Sequence, residues 1–494
     1  MNEGHLQTLG AVTDTVVPPL HHDPDPDRFY ARKASDLSVH HALAYVIQQM
    51  PDEQRAGFEA LLEALAGQHF ARASARSREQ LLRNLALADA QAALGIQALT
   101  SLTLFLYYGL PDERGQNPAW RTLGYPGPLS PPPQSQKPIT PYTPTEDTTL
   151  EADVCVVGSG AGGGVMAATL AKKGLKVVVL EAGQYLDDSD FTQLELPAYQ
   201  NLYWRGGPTP TTDFNVSVYA GSCLGGGTVI NWTNCLRTTP WVREQWEREF
   251  GLEGLNTAEF DRHLDAVWER IKVNDRCSQL NRPQQRMQAG AQQLGWRFEL
   301  TNRNVDERRY SFDTAGYIGF GDQSGAKQST AKTYLRDVFE LGATIITSCF
   351  AQRVLTENGR AAGVEAVYAQ STKLTVRAPQ VVVACGSLES PALLLRSQIG
   401  GPAVGKYLRL HPCTAMLGYY PEDMEAWKGA PHAALVPEFE NAEDGHGFLI
   451  EGAQYTTAVA ASAVPFTNGA DHKRLMARFR HGTSFIALIR DRGH

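Results

Sequence analysis

Cysteine pairs, an excess of positive charge and a recognisable leader are all missing from this chain of 494 residues. The cysteines are Cys155, Cys223, Cys235, Cys277, Cys349, Cys385 and Cys413. Their number is odd, their spacing is wide and no CxxC occurs, which argues against a disulfide framework or a cysteine metal site. We expect no metal, and small buried thiols in a reducing compartment, with Cys155 and Cys385 inside apolar strand patterns. A net charge of −8 and a pI near 5.9 argue against a nucleic-acid partner, which needs a cationic surface. The densest basic stretch, "DHKRLMARFRH" (471–481), reads as the solvated face of a helix. The opening "MNEGHLQTLG" has an early acid and no apolar segment, so neither a signal peptide nor a twin-arginine leader is expected. The expected location is cytoplasmic. Uninterrupted apolar runs are scarce too. "AALGIQALTSLTLFLYYGL" (92–110) reaches spanning length without a charge, but Gly95, Gln97, Thr100, Ser101 and Thr103 dilute it. It reads as a buried or surface-docked helix rather than a span, and residues 92–110 are the candidate for peripheral membrane contact.

The remainder is ordinary globular material, 43% hydrophobic and 20% charged, long enough for two or three domains. Residues 1–127 read as a helical region. Pro51 and the acids after it mark a helix start, and Phe58, Leu61, Leu62 and Leu65 recur at helical spacing. Ser77 and Gln80 stand in capping-box spacing before another apolar run. A proline-rich stretch comes next. Its residues 128–150 read as a stiff linker, since proline suits neither helix nor central strand. The helical region is expected to pack as a satellite on the domain C-terminal to it and to supply no catalytic group. Beyond Asp153 the texture changes to short apolar runs parted by glycine turns and helices. Strands are expected in 343–355, 361–369 and 377–386. Further strand-like runs after His411 suggest an antiparallel sheet.

One stretch carries a specific signal. "VCVVGSGAGGGVMAATLAKKGLKVVVLEAG" (154–183) reads as strand, glycine turn, helix, strand and acid. Gly158, Gly160 and Gly163 fall in GxGxxG register. The first makes a tight turn, the second admits a pyrophosphate to the backbone, and the third lets the helix approach the strand. The helix start offers free N–H groups to phosphate. Glu181 is placed to accept from a ribose diol and to repel a 2′-phosphate. This βαβ unit alone does not decide between NAD and FAD.

The next glycine cluster, "AGSCLGGGTVINWTNCLRTTPWV" (220–242), resembles the segment in which glucose–methanol–choline (GMC) oxidoreductases pass the flavin. "CGSLESPALLLRSQIG" (385–400) resembles the same family's second signature, with Gln398 where glycine is usual. "GAKQSTAKTYL" (325–335), "LRLHP" (408–412), "NPAWRTLGYPGP" (117–128) and "LGAVTDTVVPP" (9–19) resemble its long-chain fatty alcohol oxidase branch. "GFGDQS" (319–324) departs from that branch in lacking cysteines. The resemblance implies an α/β fold: a Rossmann-like FAD-binding domain in 151–240 and 327–400, and an interleaved α+β substrate domain with an antiparallel sheet in 241–326 and 401–494. It implies FAD as cofactor. Gly158, Ser159, Gly160 and Gly163 would hold the pyrophosphate and Glu181 the adenosine ribose. Gly226, Gly227, Thr228 and Asn231 would line the flavin side, and Val354 would lie beside the adenine.

The implied reaction is oxidation of a long-chain or apolar alcohol to the aldehyde, with hydride passing to the flavin and electrons to O2 or another acceptor. A lyase that keeps FAD without net redox, or an inactive FAD-binding protein, are the alternatives. The family's base is a histidine in a C-terminal His-x-x-Gly-Thr-x-x-Met-Gly context. His411, His432, His446, His472, His481 and His494 all lack that context. His411 reads as a structural residue opening the substrate sheet, and no catalytic residue is assigned. We therefore expect this sequence to be a C-terminally incomplete member of the family.

Overall fold

The computed structural model describes residues 1–212, 216–443 and 445–491; His494 lies outside them. Three sheets organise the chain. The first is wholly parallel, in the order Gln380–Val383, Val154–Val157, Val177–Leu180, Thr344–Ile346. Its two middle strands are buried along their whole length, as continuous Val/Leu runs require when both faces are covered. The helix Ala161–Lys172 covers one face with Gly163, Gly164, Ala167 and Ala168. Gly174, at φ +82°, comes after it and turns the chain into the next strand.

The second sheet runs Thr148–Glu151, Thr372–Arg377, Arg360–Tyr368, Cys349–Glu357. Its first strand corrects the linker reading: the last residues of the 128–150 stretch are an edge strand paired in parallel with Thr372–Arg377. An edge position suits residues that come directly after a proline run. The third sheet is antiparallel, in the order Cys413–Tyr419, Gly482–Ile489, Phe448–Gly452, Ala434–Val436, Glu299–Leu300. The outermost strand, Cys413–Tyr419, is exposed over its first four residues.

The N-terminal region is helical over Glu3–Val16, Val39–Gln48, Asp52–Gly67, Ala75–Ala88 and Ala90–Gly109. Leu61, Leu62 and Leu65 are buried as their spacing requires. The cap of Ala75–Ala88 is Ser74, whose hydroxyl accepts from Ser77 N–H at 3.2 Å, so Ser77 is inside the helix and not its cap. Asp89 caps Ala90–Gly109 by accepting from Gln91 and Ala92 N–H. That helix is long and apolar enough to span a membrane by length and composition. It nonetheless buries Leu99, Leu104, Tyr107 and Tyr108 in protein.

The helical region packs on both the FAD-binding and the substrate segments. Leu9, Leu43, Leu62, Leu99 and Tyr108 share one continuous core with Tyr199, Phe320, Trp427, Tyr455 and Phe479. The basic stretch 471–481 is no solvated face. Lys473 in helix Gly469–Met476 is 1% exposed, and its Nζ donates to the carbonyls of Pro18, Tyr30 and Arg32. Its neighbour His472 is buried, with Nε2 2.8 Å from Ala461 O. The thiols also need amendment. All seven are free, but Cys235 and Cys385 are half-buried and Cys413 is exposed.

Candidate cofactor site

The loop after Val154–Val157 sits at the carboxyl end of the parallel sheet, where ligands of open α/β sheets bind. Gly158 turns there with φ +97°, and a Cβ on it would lie 2.3 Å from Ala384 O. Only glycine fits. The helix Ala161–Lys172 opens at Gly160 without a side-chain cap, and Ala161 and Gly162 are exposed. The N–H groups of its first turn are therefore open to an anion.

Glu181 stands just past the second strand, 7% exposed. Its Oε2 accepts from Ser159 N–H at 3.1 Å and Ser159 Oγ at 2.5 Å, and its Oε1 accepts from Gly183 N–H at 2.9 Å. Burial pushes its carboxyl above the usual range, opposed by these same donors. The residue read as a ribose acceptor thus also staples the glycine loop to the second strand.

The second glycine cluster closes on the first. Gly225 N–H donates to Ser159 Oγ at 2.9 Å. Gly226 has φ +53°, and a Cβ there would stand 2.9 Å from Gly160 Cα. The two loops, distant in sequence, thus meet with backbone nearly against backbone. Beyond the contact the space opens: a Cβ on Gly160, Gly162 or Gly227 would meet nothing within 4 Å, and Gly227 and Asn231 are exposed. A cradle of this kind, with uncapped helix amides at one end and bare backbone along its floor, fits the pyrophosphate and ring system of a dinucleotide.

The structure brings Gly158, Ser159, Gly160, Gly163, Glu181, Gly226, Gly227 and Thr228 together, with Asn231 at the exposed end of the second loop. Val354, which the resemblance places against adenine through its backbone, lies in the strand Cys349–Glu357. Its side chain is buried in the core between the first and second sheets, and its N–H donates to Ser397 Oγ at 2.9 Å. His411 is exposed and precedes the edge strand Cys413–Tyr419.

Two features had no assigned role in the sequence, although Lys327 stands in "GAKQSTAKTYL" (325–335). His432, buried at φ +50°, holds Nδ1 3.2 Å from Glu451 Oε2 and sets its ring edge-on to Trp232 at 4.7 Å. Burial drives both groups toward their neutral forms, Glu451 up and His432 down. Trp232 is the residue after Asn231, so the pair lies immediately behind the exposed end of the second loop. Lys327 is the other feature. It is 2% exposed, and its Nζ donates to Val229 O and Asn231 O at 2.5 Å and to Ile318 O at 3.2 Å. A cavity of about 690 Å³ lies behind it, rimmed by the ion pairs Arg270–Asp337, Lys272–Asp306 and Lys332–Asp188. Those charges neutralise one another, and the cavity is distinct from the cradle.

Known proteins resemble this chain. A GMC oxidoreductase family model matches residues 199–413, and a NAD(P)-binding Rossmann-like model matches 156–186. Long-chain-alcohol oxidase FAO3 of Arabidopsis thaliana is 31% identical over 443 residues, covering 79% of this chain and 58% of that protein. An uncharacterized GMC-type oxidoreductase of Mycobacterium tuberculosis is 35% identical over 346 residues, covering 69% of this chain and 54% of that protein. The solved structure of a formate oxidase variant from Aspergillus oryzae superimposes with a TM-score of 0.52 at 15% identity, over 71% of this chain and 74% of that one. The chain thus spans 58% of the length of FAO3, and the same share of its Arabidopsis relative FAO4B.

Proposed function

Since this chain belongs to the GMC oxidoreductase family, we propose that it is an FAD-dependent oxidoreductase acting on CH–OH groups, with a long-chain or otherwise apolar alcohol as substrate. The observation that carries this reading is the meeting of the two glycine loops. The first loop with its open helix N-terminus suits any dinucleotide. The second packs on it through Gly226 and Gly160 and lies in the stretch that the GMC oxidoreductase model matches, which favours a flavin over a nicotinamide cofactor.

Gly158, Ser159, Gly160 and Gly163 would hold the pyrophosphate on backbone N–H groups. Glu181 anchors that loop and carries the ribose preference. Gly226, Gly227, Thr228 and Asn231 form the wall toward the flavin. Bound FAD supplies the hydride acceptor that alcohol oxidation requires. An apolar substrate agrees with the long-chain-alcohol oxidases among the relatives and with Leu408, Cys413 and Met416, which are exposed beside His411. The product would be the aldehyde, and the electrons would pass to O2 or another acceptor.

The test is anaerobic mixing of the FAD-loaded protein with a long-chain primary alcohol. Loss of oxidised-flavin absorbance with aldehyde formed in equal amount would support the reading. Substrate cleavage without bleaching would indicate the lyase chemistry instead. Bound FAD with neither reaction, across a panel of alcohols, would reduce the reading to flavin binding alone.

A further inference from the structure

The segment 325–330 lies beneath both glycine loops and touches each. Thr330 N–H donates to Thr228 Oγ1 at 3.0 Å. Thr330 Oγ1 lies 3.1 Å from Ser159 O in the first loop and 3.2 Å from Gly225 O in the second. Its single proton is shared between two carbonyls that belong to different loops. Thr228 in turn donates to Gly225 O at 2.5 Å. Earlier along the same segment, Lys327 Nζ gathers Val229 O, Asn231 O and Ile318 O. All three of these acceptors are backbone carbonyls.

A buried ammonium is costly unless its hydrogen bonds are complete. Packing alone would be served as well by a methionine of similar shape. What lysine adds is a fixed geometry for the carbonyls on both sides of Ile230, in the loop whose Gly227 and Asn231 face the open cradle. Thr330 adds the link from that loop to the phosphate loop. We propose that Lys327 and Thr330 are positioning residues of the cofactor site, setting the spacing between the two glycine loops so that the cradle is formed before its ligand arrives. This inference rests on the FAD reading above. Its physical basis is preorganisation: a loop already held in its bound shape loses little freedom on binding.

The experiment uses the whole chain, stripped of flavin, as wild type, Thr330→Val, Thr330→Ser and Lys327→Met. FAD affinity is measured by titration, and backbone order by hydrogen exchange of peptides covering 158–164 and 225–231. Thr330→Val should weaken FAD binding about tenfold, the scale of a lost buried hydrogen bond with its partners left unpaired. It should also speed exchange in 225–231 while exchange in the helices of residues 1–110 stays as in wild type. Thr330→Ser, which keeps the hydroxyl, should restore both. Lys327→Met should act in the same direction as Thr330→Val. If it does not fold, the valine and serine pair decides the matter. Wild-type FAD affinity in Thr330→Val, or faster exchange spread over the whole chain, would overturn the positioning role. A wild type that takes up no FAD would instead overturn the FAD reading, and the inference with it.

Discussion

Glu181 accepts from Ser159 N–H, Ser159 Oγ and Gly183 N–H with one carboxylate, so its removal loosens the loop as well as the ribose site. Glu181→Ala should weaken FAD binding by about 1.5–3 kcal/mol, the usual worth of a charged hydrogen-bonding partner. Titration of stripped protein with FAD measures it, and an unchanged affinity would show that the carboxylate is not used. A second buried acid makes a prediction about pH. Glu195 is 4% exposed and accepts from Thr456 Oγ1, Ala458 N–H and Val459 N–H at the start of helix Thr457–Ala463. Burial raises its carboxyl to about 7, against the pull of those donors. A carboxyl with a raised folded-state value binds its proton more tightly folded than unfolded. Its contribution is therefore fully present below the unfolded value near 4.5 and is lost as pH rises toward 7. Thermal melts of wild type and Glu195→Gln between about pH 4.5 and 8 should diverge in slope, with the wild type losing more stability as pH rises. Parallel curves would mean that folding does not raise the Glu195 carboxyl.

Helix Gly469–Met476 shows what an element can hide from its own sequence. Lys473 clamps the carbonyls of Pro18, Tyr30 and Arg32, so Lys473→Met should take a donor from all three, of which Tyr30 O keeps another in Leu20 N–H. A loss of about 1–3 kcal/mol is expected, with faster proteolysis in the loop 17–33, and an unshifted melting temperature would count against the clamp. In sequence the same helix reads as a basic, solvated face, because the acceptors lie as far as 455 residues away and nothing within the helix announces them. The βαβ unit is the opposite case. Its strands, turn glycines and acid all act within about 30 residues of one another, the span such a unit needs, so local pattern and local chemistry coincide. Gly158, Gly163 and Glu181 stand where their types require. The strands near 349–357, 360–368 and 448–452 are legible for the same reason, as alternating or continuous apolar runs between turns. Thr148–Glu151 is not, since its residues become a strand only through the partner Thr372–Arg377 supplies. Lys327 and Thr330 escape notice because their partners come from separate segments, and the His432–Glu451 pair because each residue alone is unremarkable.

At the scale of the whole molecule, the apolar helix Ala90–Gly109 is bound into the common core with Tyr199, Tyr455 and Phe479. Leu99, Leu104, Tyr107 and Tyr108 are therefore not free to enter a bilayer. The folded chain is expected to stay in the supernatant when sedimented with liposomes, and co-sedimentation would favour peripheral docking through residues 92–110. The wide spacing of the cradle's parts has a different consequence, one that concerns the ribosome. Gly158 turns against Ala384 O, and Ala384 N–H donates to Val157 O at 2.8 Å. Cys385 Sγ, which also contacts Val157 O, is 228 residues from it along the chain. The tight turn of the phosphate loop therefore lacks its floor while the first half of the protein is being translated. The nascent chain is therefore expected not to capture its cofactor as it emerges, and loading is expected to wait until the strand Gln380–Val383 has left the exit tunnel and been added to the sheet. Until then the two Val-rich central strands have at least one unpaired flank, and both until Thr344–Ile346 has joined, which leaves strand edges open to aggregation.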